Sequence, residues 1–128
     1  MKYACLVYFE AKDMEALSSA ELKTLQRASL DYDTDLARRG HLVLAQALQS
    51  PDQAVTIRVR SGKVSTTDGP FAETKEQLAG FFLVEARDLN EAVQLASQAP
   101  MARIGPIEVR PVFELSKAVA ASSTPDAA

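Results

Sequence analysis

Asp68, Arg58, Arg110, His41 and Phe71 are the side chains whose types and surroundings could do chemistry in this sequence. Asp68 opens the run TDGPFAETKEQLAG, Thr67 to Gly80, which also gathers Glu73, Lys75 and Glu76 around a Gly-Pro-Phe centre. A carboxylate beside a pocket works as a general base once burial raises its pKa, and an arginine orients a carboxylate-bearing ligand through two parallel hydrogen bonds. In that scheme Asp68 is the acid or base and Arg58 or Arg110 the orienting cation. His41 offers a titratable ring at a strand start and Phe71 an aromatic face.

Each of these residues also has a structural reading. Asp68-Gly69-Pro70 makes a good turn, because the Asp side chain accepts from N–H groups two residues on, Gly permits positive φ and Pro fixes its own φ. Phe71 suits a plug beneath such a loop, and Glu73, Lys75 and Glu76 suit a short solvated helical turn capped by Thr74. His41 follows Arg38, Arg39 and Gly40, at a helix end where a protonated imidazole is favoured by the dipole. Arg58 shares a strand face with Arg60, and Arg110 with Glu108, as on exposed edges; Tyr8 and Tyr32 suit the rim of a core.

The absences narrow the chemistry. The sequence holds no glycine-rich phosphate cradle and no GxSxG elbow, and one histidine cannot build a multi-histidine metal site. Neither a metal nor an organic cofactor is therefore expected. A net charge of −3 gives no attraction for phosphate backbones or anionic membranes, so no nucleic-acid or membrane role is expected either. Cys5, the single cysteine, lies in an apolar run and reads as a small buried hydrophobe. The opening MKYACLVYFEAKD is too short in apolar residues for a signal peptide or a spanning helix, so a cytoplasmic protein is expected.

The elements that must position these residues follow from periodicity within one domain, which 128 residues with 47% hydrophobic content can support. KYACLVYF reads as the first strand, and Ser18 with Glu21 has capping-box spacing for a helix over about residues 19–39, stopped by Gly40. HLVLAQAL and AVTIRVR, 54–60, read as strands, the latter alternating with Val55, Ile57 and Val59 on one face. A turn at Ser61-Gly62-Lys63 makes a hairpin with VSTT. GFFLVEA, 80–86, is the next strand, Asp88 caps a helix ended by Pro100, and IEVRPVFEL, 107–115, is a last strand whose Pro111 suits an edge. Residues 1–115 then form the domain and 116–128 a flexible tail.

The resulting fold is α+β, a ferredoxin-like βαββαβ sandwich with an added hairpin and both helices on one sheet face. The other face would need a cover, most simply a second copy, which predicts a homodimer through the sheet face the helices leave open.

DGPFAETKEQLAGFFLVEA, together with MKYACLVYF and PMARIGPIEVRPV, resembles the DGPF-domain branch of the YCII-related proteins over about residues 1–113. The resemblance implies that the ferredoxin-like units pair as a dimeric α/β barrel. It also implies a site in which a loop aspartate, matched by Asp68, works with a histidine on the first helix. The corresponding place lies near Ser29, and this helix has no histidine.

Two functional readings follow. One is an enzyme acting by acid/base chemistry at Asp68 on an unidentified small molecule. The other is a non-catalytic ligand-sensing or regulatory module, with the link to extracytoplasmic-function sigma factors that the resemblance implies as its partner.

Overall fold

A computed structural model describes residues 1–122. In chain order the elements are β1 (Lys2–Glu10), α1 (Ala11–Glu15), α2 (Ser19–Arg38), β2 (Leu42–Ala47), β3 (Val55–Arg60), β4 (Lys63–Asp68), β5 (Glu76–Glu85), α3 (Leu89–Ser97), β6 (Ile107–Pro111) and α4 (Leu115–Ser122). Short 3-10 turns stand at Pro51–Gln53 and Pro100–Arg103. Four strands form one sheet in the order β2-β5-β1-β6, while β3 and β4 bond only to each other. Every neighbouring pair is antiparallel. The four-stranded sheet with α2 and α3 is therefore a βαββαβ unit, and the β3–β4 hairpin is inserted between its second and third strands.

Alternation along β1 sorts the two faces. Tyr3, Cys5 and Val7 are buried, and they pair across to Val84, Phe82 and Gly80 of β5. Leu36 of α2 and Ala92, Leu95 and Ala96 of α3 close the same core from above. Tyr32 ties helix to sheet and helix to helix: its ring meets Phe82 edge-on at 5.8 Å, and its hydroxyl donates to the Leu95 carbonyl at 2.6 Å. The opposite sheet face carries Ala4, Leu6, Tyr8, Phe81 and Leu83, only partly buried, and neither α2 nor α3 lies over it.

Local signals act as expected in several places. Ser18 Oγ accepts from the Glu21 N–H at 3.1 Å and Glu21 Oε1 accepts from the Ser18 N–H at 2.9 Å, completing the capping box of α2. Asp88 accepts from the Glu91 N–H, but Glu91 reaches one residue further back, to the Arg87 N–H. The hairpin turns through Ser61 and Gly62, both at positive φ (51° and 76°), the two-residue geometry that matches strand twist. Pro111 closes β6 on the sheet edge, where a missing N–H costs no ladder bond.

Other expectations need correction. Glu76 is not in a helical turn: it begins β5 and pairs with Glu10, because β1 runs long enough to recruit it into the ladder. Thr74 caps no helix and instead donates from Oγ1 to the Glu76 carbonyl at 2.6 Å. Residues 11–15 form a short helix the sequence pattern did not suggest. Beyond Pro111 the strand does not continue, and Leu115–Ser122 is a helix in the segment where a flexible tail from residue 116 was expected; residues 123–128 of that tail lie outside the described residues.

Candidate functional site

A concavity of about 1130 Å³ lies at the end of the sheet where β1 and β5 reach Tyr8 and Leu78 and where β6 begins at Ile107 and Glu108. One wall is the chain from Leu48 to Thr56, and the other is the DGPF loop with Pro70, Phe71 and Ala72. Pro51, Pro70 and Pro106 each stand in a connection that borders it, and a proline there stiffens the wall by fixing φ. Lys75, Glu76 and Glu108 are its charged lining groups, and Gln49, Gln53 and Gln77 contribute amides.

The loop is held at its root. Gly69 has φ 95°, a conformation its missing side chain makes cheap, and its N–H donates to the Ala54 carbonyl at 2.7 Å. Thr56 Oγ1 donates to the Gly69 carbonyl at 2.9 Å. These two bonds clamp the loop to the chain entering the hairpin, so both walls share one hinge. At the far side Lys75 Nζ stands 3.6 Å from Glu10 Oε1, and Lys12 Nζ is 3.3 Å from Oε2 of the same carboxylate.

Of the residues singled out from sequence, Phe71 lines the cavity. It is 80% exposed, so it does not plug the loop from beneath; with the loop root clamped at Gly69, the ring is presented outward. Asp68 is exposed, pairs in register with Val55 and precedes Pro70 by two positions, and both of those neighbours line the cavity. That places Asp68 at the rim, with no hydrogen bond or ion pair of its carboxylate among the described residues. Arg110 Nε lies 4.0 Å from Glu108 Oε2, so it touches the site through a lining residue. Arg58 stands on the hairpin, on the strand face opposite Val55.

His41 belongs to the other end of the molecule. Its Nδ1 lies 2.8 Å from the Glu85 carbonyl oxygen, which requires the proton on Nδ1. Glu85 and Glu76 are the two ends of β5, roughly 30 Å apart at about 3.3 Å per residue, so His41 and the cavity share no ligand. Ser29, the position implied for a helix histidine, is half-buried on α2.

The groups whose pKa values are raised are away from the cavity, whereas Asp52, held below its usual range by a hydrogen bond from Ser50, stands in the wall between Pro51 and Gln53. Burial pushes the Cys5 thiol up to about 11. Burial, with Cys5 and Asp33 adding, holds the Tyr32 hydroxyl above its usual range, and burial alone raises Asp33. All three belong to the packed core or to α2, so they mark packing rather than the site. Among the described residues no cluster of three or more His, Cys, Asp or Glu could hold a metal ion, and no helix is long and apolar enough to cross a membrane.

As site residues, sequence reasoning passed over Tyr8, Lys75, Glu76, Glu108 and the wall from Leu48 to Thr56. Two signals for them were present. The stretch Gln49-Ser50-Pro51 breaks periodicity between two strands, and the prolines at 51, 70 and 106 punctuate connections that the sheet order brings to one end.

The YCII-related domain model matches residues 1–116. An uncharacterised protein of Rhizobium meliloti (strain 1021) is 35% identical over 114 residues, which covers 88% of this chain and 92% of that relative. Among solved structures, 5-chloro-2-hydroxyhydroquinone dehydrochlorinase from Burkholderia phenoliruptrix AC1100, in complex with 2,5-dihydroxybenzoquinone, superimposes with a TM-score of 0.54. That alignment covers 88% of this chain and 94% of the enzyme at 11% identity, a likeness of fold.

Proposed function

The chain belongs to the YCII-related domain family, and on that premise we propose that it is a small-molecule enzyme whose reaction takes place in the cavity beside the DGPF loop, with Asp68 carrying the proton. The observation behind this reading is the cavity itself. Its walls combine the exposed ring of Phe71 with Tyr8, Leu78 and three prolines, and a few polar groups converge on it. Apolar walls with a small number of placed polar groups are the common form of a small-molecule site.

The lining suits a small planar ring bearing oxygen substituents. Phe71 and Tyr8 supply faces for stacking, Lys75 a cation for an oxyanion, and the glutamines donors and acceptors for ring oxygens. Asp68 at the rim, free of ion pairs among the described residues, is available to take or return a proton at the ring's outer edge. Arg110 steadies Glu108 from outside. The DGPF motif, Asp68 to Phe71, supports the reading that the chain is of the DGPF branch of the family, and the half-buried apolar sheet face supports a homodimer formed through it, as in a dimeric α/β barrel.

The test begins with 2,5-dihydroxybenzoquinone and related hydroxylated rings as probes, read by thermal shift and by calorimetric titration. Binding in the micromolar to millimolar range, lost in Phe71→Ala, is the expected result. For any probe that is turned over, Asp68→Asn should lower kcat by about 10²–10⁴-fold with KM little changed. If no ring in such a panel shifts the melting temperature, the reading fails. A second reading, ligand sensing without turnover, draws on the same exposure of Asp68, whose carboxylate has no ion-pair partner among the described residues. Tight binding with no product over hours, unaffected by Asp68→Asn, would select it, and the sigma-factor-linked partner would then be sought.

A further inference from the structure

The sheet breaks its register beside the cavity. β1 and β5 pair residue for residue from Lys2 with Glu85 to Val7 with Gly80, and then Tyr8 faces Leu78, which leaves Ala79 as an extra residue in β5. A bulge of this kind bends its strand, increases the local twist and re-aims the side chains beyond it. Only beyond it do β1 and β5 line the cavity, through Tyr8 on one strand and Glu76, Gln77 and Leu78 on the other. The Ala79 carbonyl accepts from the Leu48 N–H at 2.8 Å, so the bulge also fixes the first residue of the Leu48 to Thr56 wall.

Tyr8 is held from its other side as well. Its N–H donates to the Pro106 carbonyl at 3.0 Å, and Gly105 packs so closely that a Cβ there would run into the Tyr8 carbonyl oxygen. The side chain at this pinned position ends in a hydroxyl with no hydrogen-bond partner among the described residues. The other two tyrosines spend theirs: Tyr32 donates to the Leu95 carbonyl, and the Tyr3 hydroxyl lies 3.7 Å from the Met1 sulfur. The other lining hydroxyls are spent too, Ser50 on Asp52, Thr56 on the Gly69 carbonyl and Thr74 on the Glu76 carbonyl. A partly buried tyrosine hydroxyl ordinarily finds a partner. In this cavity a ligand can be that partner.

We propose that the Tyr8 hydroxyl reads a ring oxygen of the ligand, so that oxygenated rings are bound in preference to bare ones. A phenol both donates and accepts, so it can meet a carbonyl oxygen, an ionised hydroxyl or a neutral one. The lining carboxylates of Glu76 and Glu108 only accept when ionised and cannot replace it. Where the ring oxygen carries charge, the donors in the cavity are this phenol and the Lys75 ammonium, the kinds of group that stabilise an oxyanion. This role for Tyr8 rests on the small-molecule reading and goes further, since there Tyr8 contributes only a face for stacking.

Calorimetric titration of the full chain with 2,5-dihydroxybenzoquinone and with 4-nitrocatechol, both coloured oxygenated rings, tests the assignment. For whichever ring the wild type binds more tightly, Tyr8→Phe, which keeps the aromatic face and removes one oxygen, should weaken binding about tenfold. The visible band of the bound ring should be displaced from its position in water, and the displacement should shrink in Tyr8→Phe as the hydrogen bond to the ring oxygen is lost. Thermal unfolding without ligand is the control. Tyr8→Phe should melt with the wild type, whereas Tyr32→Phe, which loses its bond to Leu95, should melt lower. A Tyr8→Phe chain that binds the ring as tightly as wild type overturns the assignment and leaves the small-molecule reading standing. So does one that melts well below wild type, since the hydroxyl is then spent within the fold. A wild type that binds neither ring also overturns the assignment, and one that binds no ring of the wider panel removes the small-molecule reading as well.

Discussion

β1 and β3 have the same alternation and opposite fates. In β1 the apolar positions Tyr3, Cys5 and Val7 lie under α2 and α3 and are almost wholly buried. In β3 the apolar positions Val55, Ile57 and Val59 have no layer above them and stay exposed. Period-two patterning therefore picks out which side chains share a face, but the stabilisation comes only from what covers that face. The core strand is covered by helices of its own chain; the hairpin's apolar face has no cover among the described residues.

The contrast can be broken first in the core. Phe82→Ala removes a ring that is 5% exposed and meets Tyr32 edge-on, and should cost about 3–5 kcal/mol in denaturant unfolding. A loss below about 1 kcal/mol would mean that the helix-covered face does not carry the stability. Cys5 sharpens the same point by pH. Its folded-state pKa, raised from 9.0 to about 11 by burial, keeps the thiol protonated when the unfolded chain has begun to ionise. Its contribution is complete below about pH 9 and is lost as pH rises toward 11. The alkaline decline of stability should be steeper in wild type than in Cys5→Ala, and equal slopes would place the thiol in contact with water.

Smaller effects belong to the periphery. Ser18→Ala removes the oxygen that accepts from Glu21 N–H and should cost about 1 kcal/mol, read as a lower melting temperature with unchanged association. Ile57→Ala, at a side chain exposed to solvent, should change unfolding by no more than about 0.5 kcal/mol. A cost comparable with that of Phe82→Ala would erase the distinction between the two strands.

Much of the fold is legible in the order of the amino acids. Ser18 and Glu21 announce the start of α2 because a capping box is closed within four residues, and Ser61-Gly62 announces the hairpin because its two-residue turn needs positive φ. The start of β5 is not legible, because Glu76 and Gln77 join a ladder through Glu10 and Phe9 of β1, far back along the chain, and no local pattern encodes that pairing. The site is legible in part for the same reason. The DGPF turn marks one wall, and Asp68 stands at the rim. The other wall, Leu48 to Thr56, and the floor at Tyr8 and Glu108 come together only through the strand order β2-β5-β1-β6.

The amino-acid sequence by itself determined the local events: caps, turns, the alternation of strands and the left-handed glycine that roots the loop. All of these depend on atoms within a few residues of one another. Tertiary structure decided the rest. It carried His41 to the far end of β5, brought prolines from three separate connections around one cavity, and left the hairpin without a cover. Those outcomes depend on which strands pair and on which faces the helices reach, so they arise from contacts between distant segments.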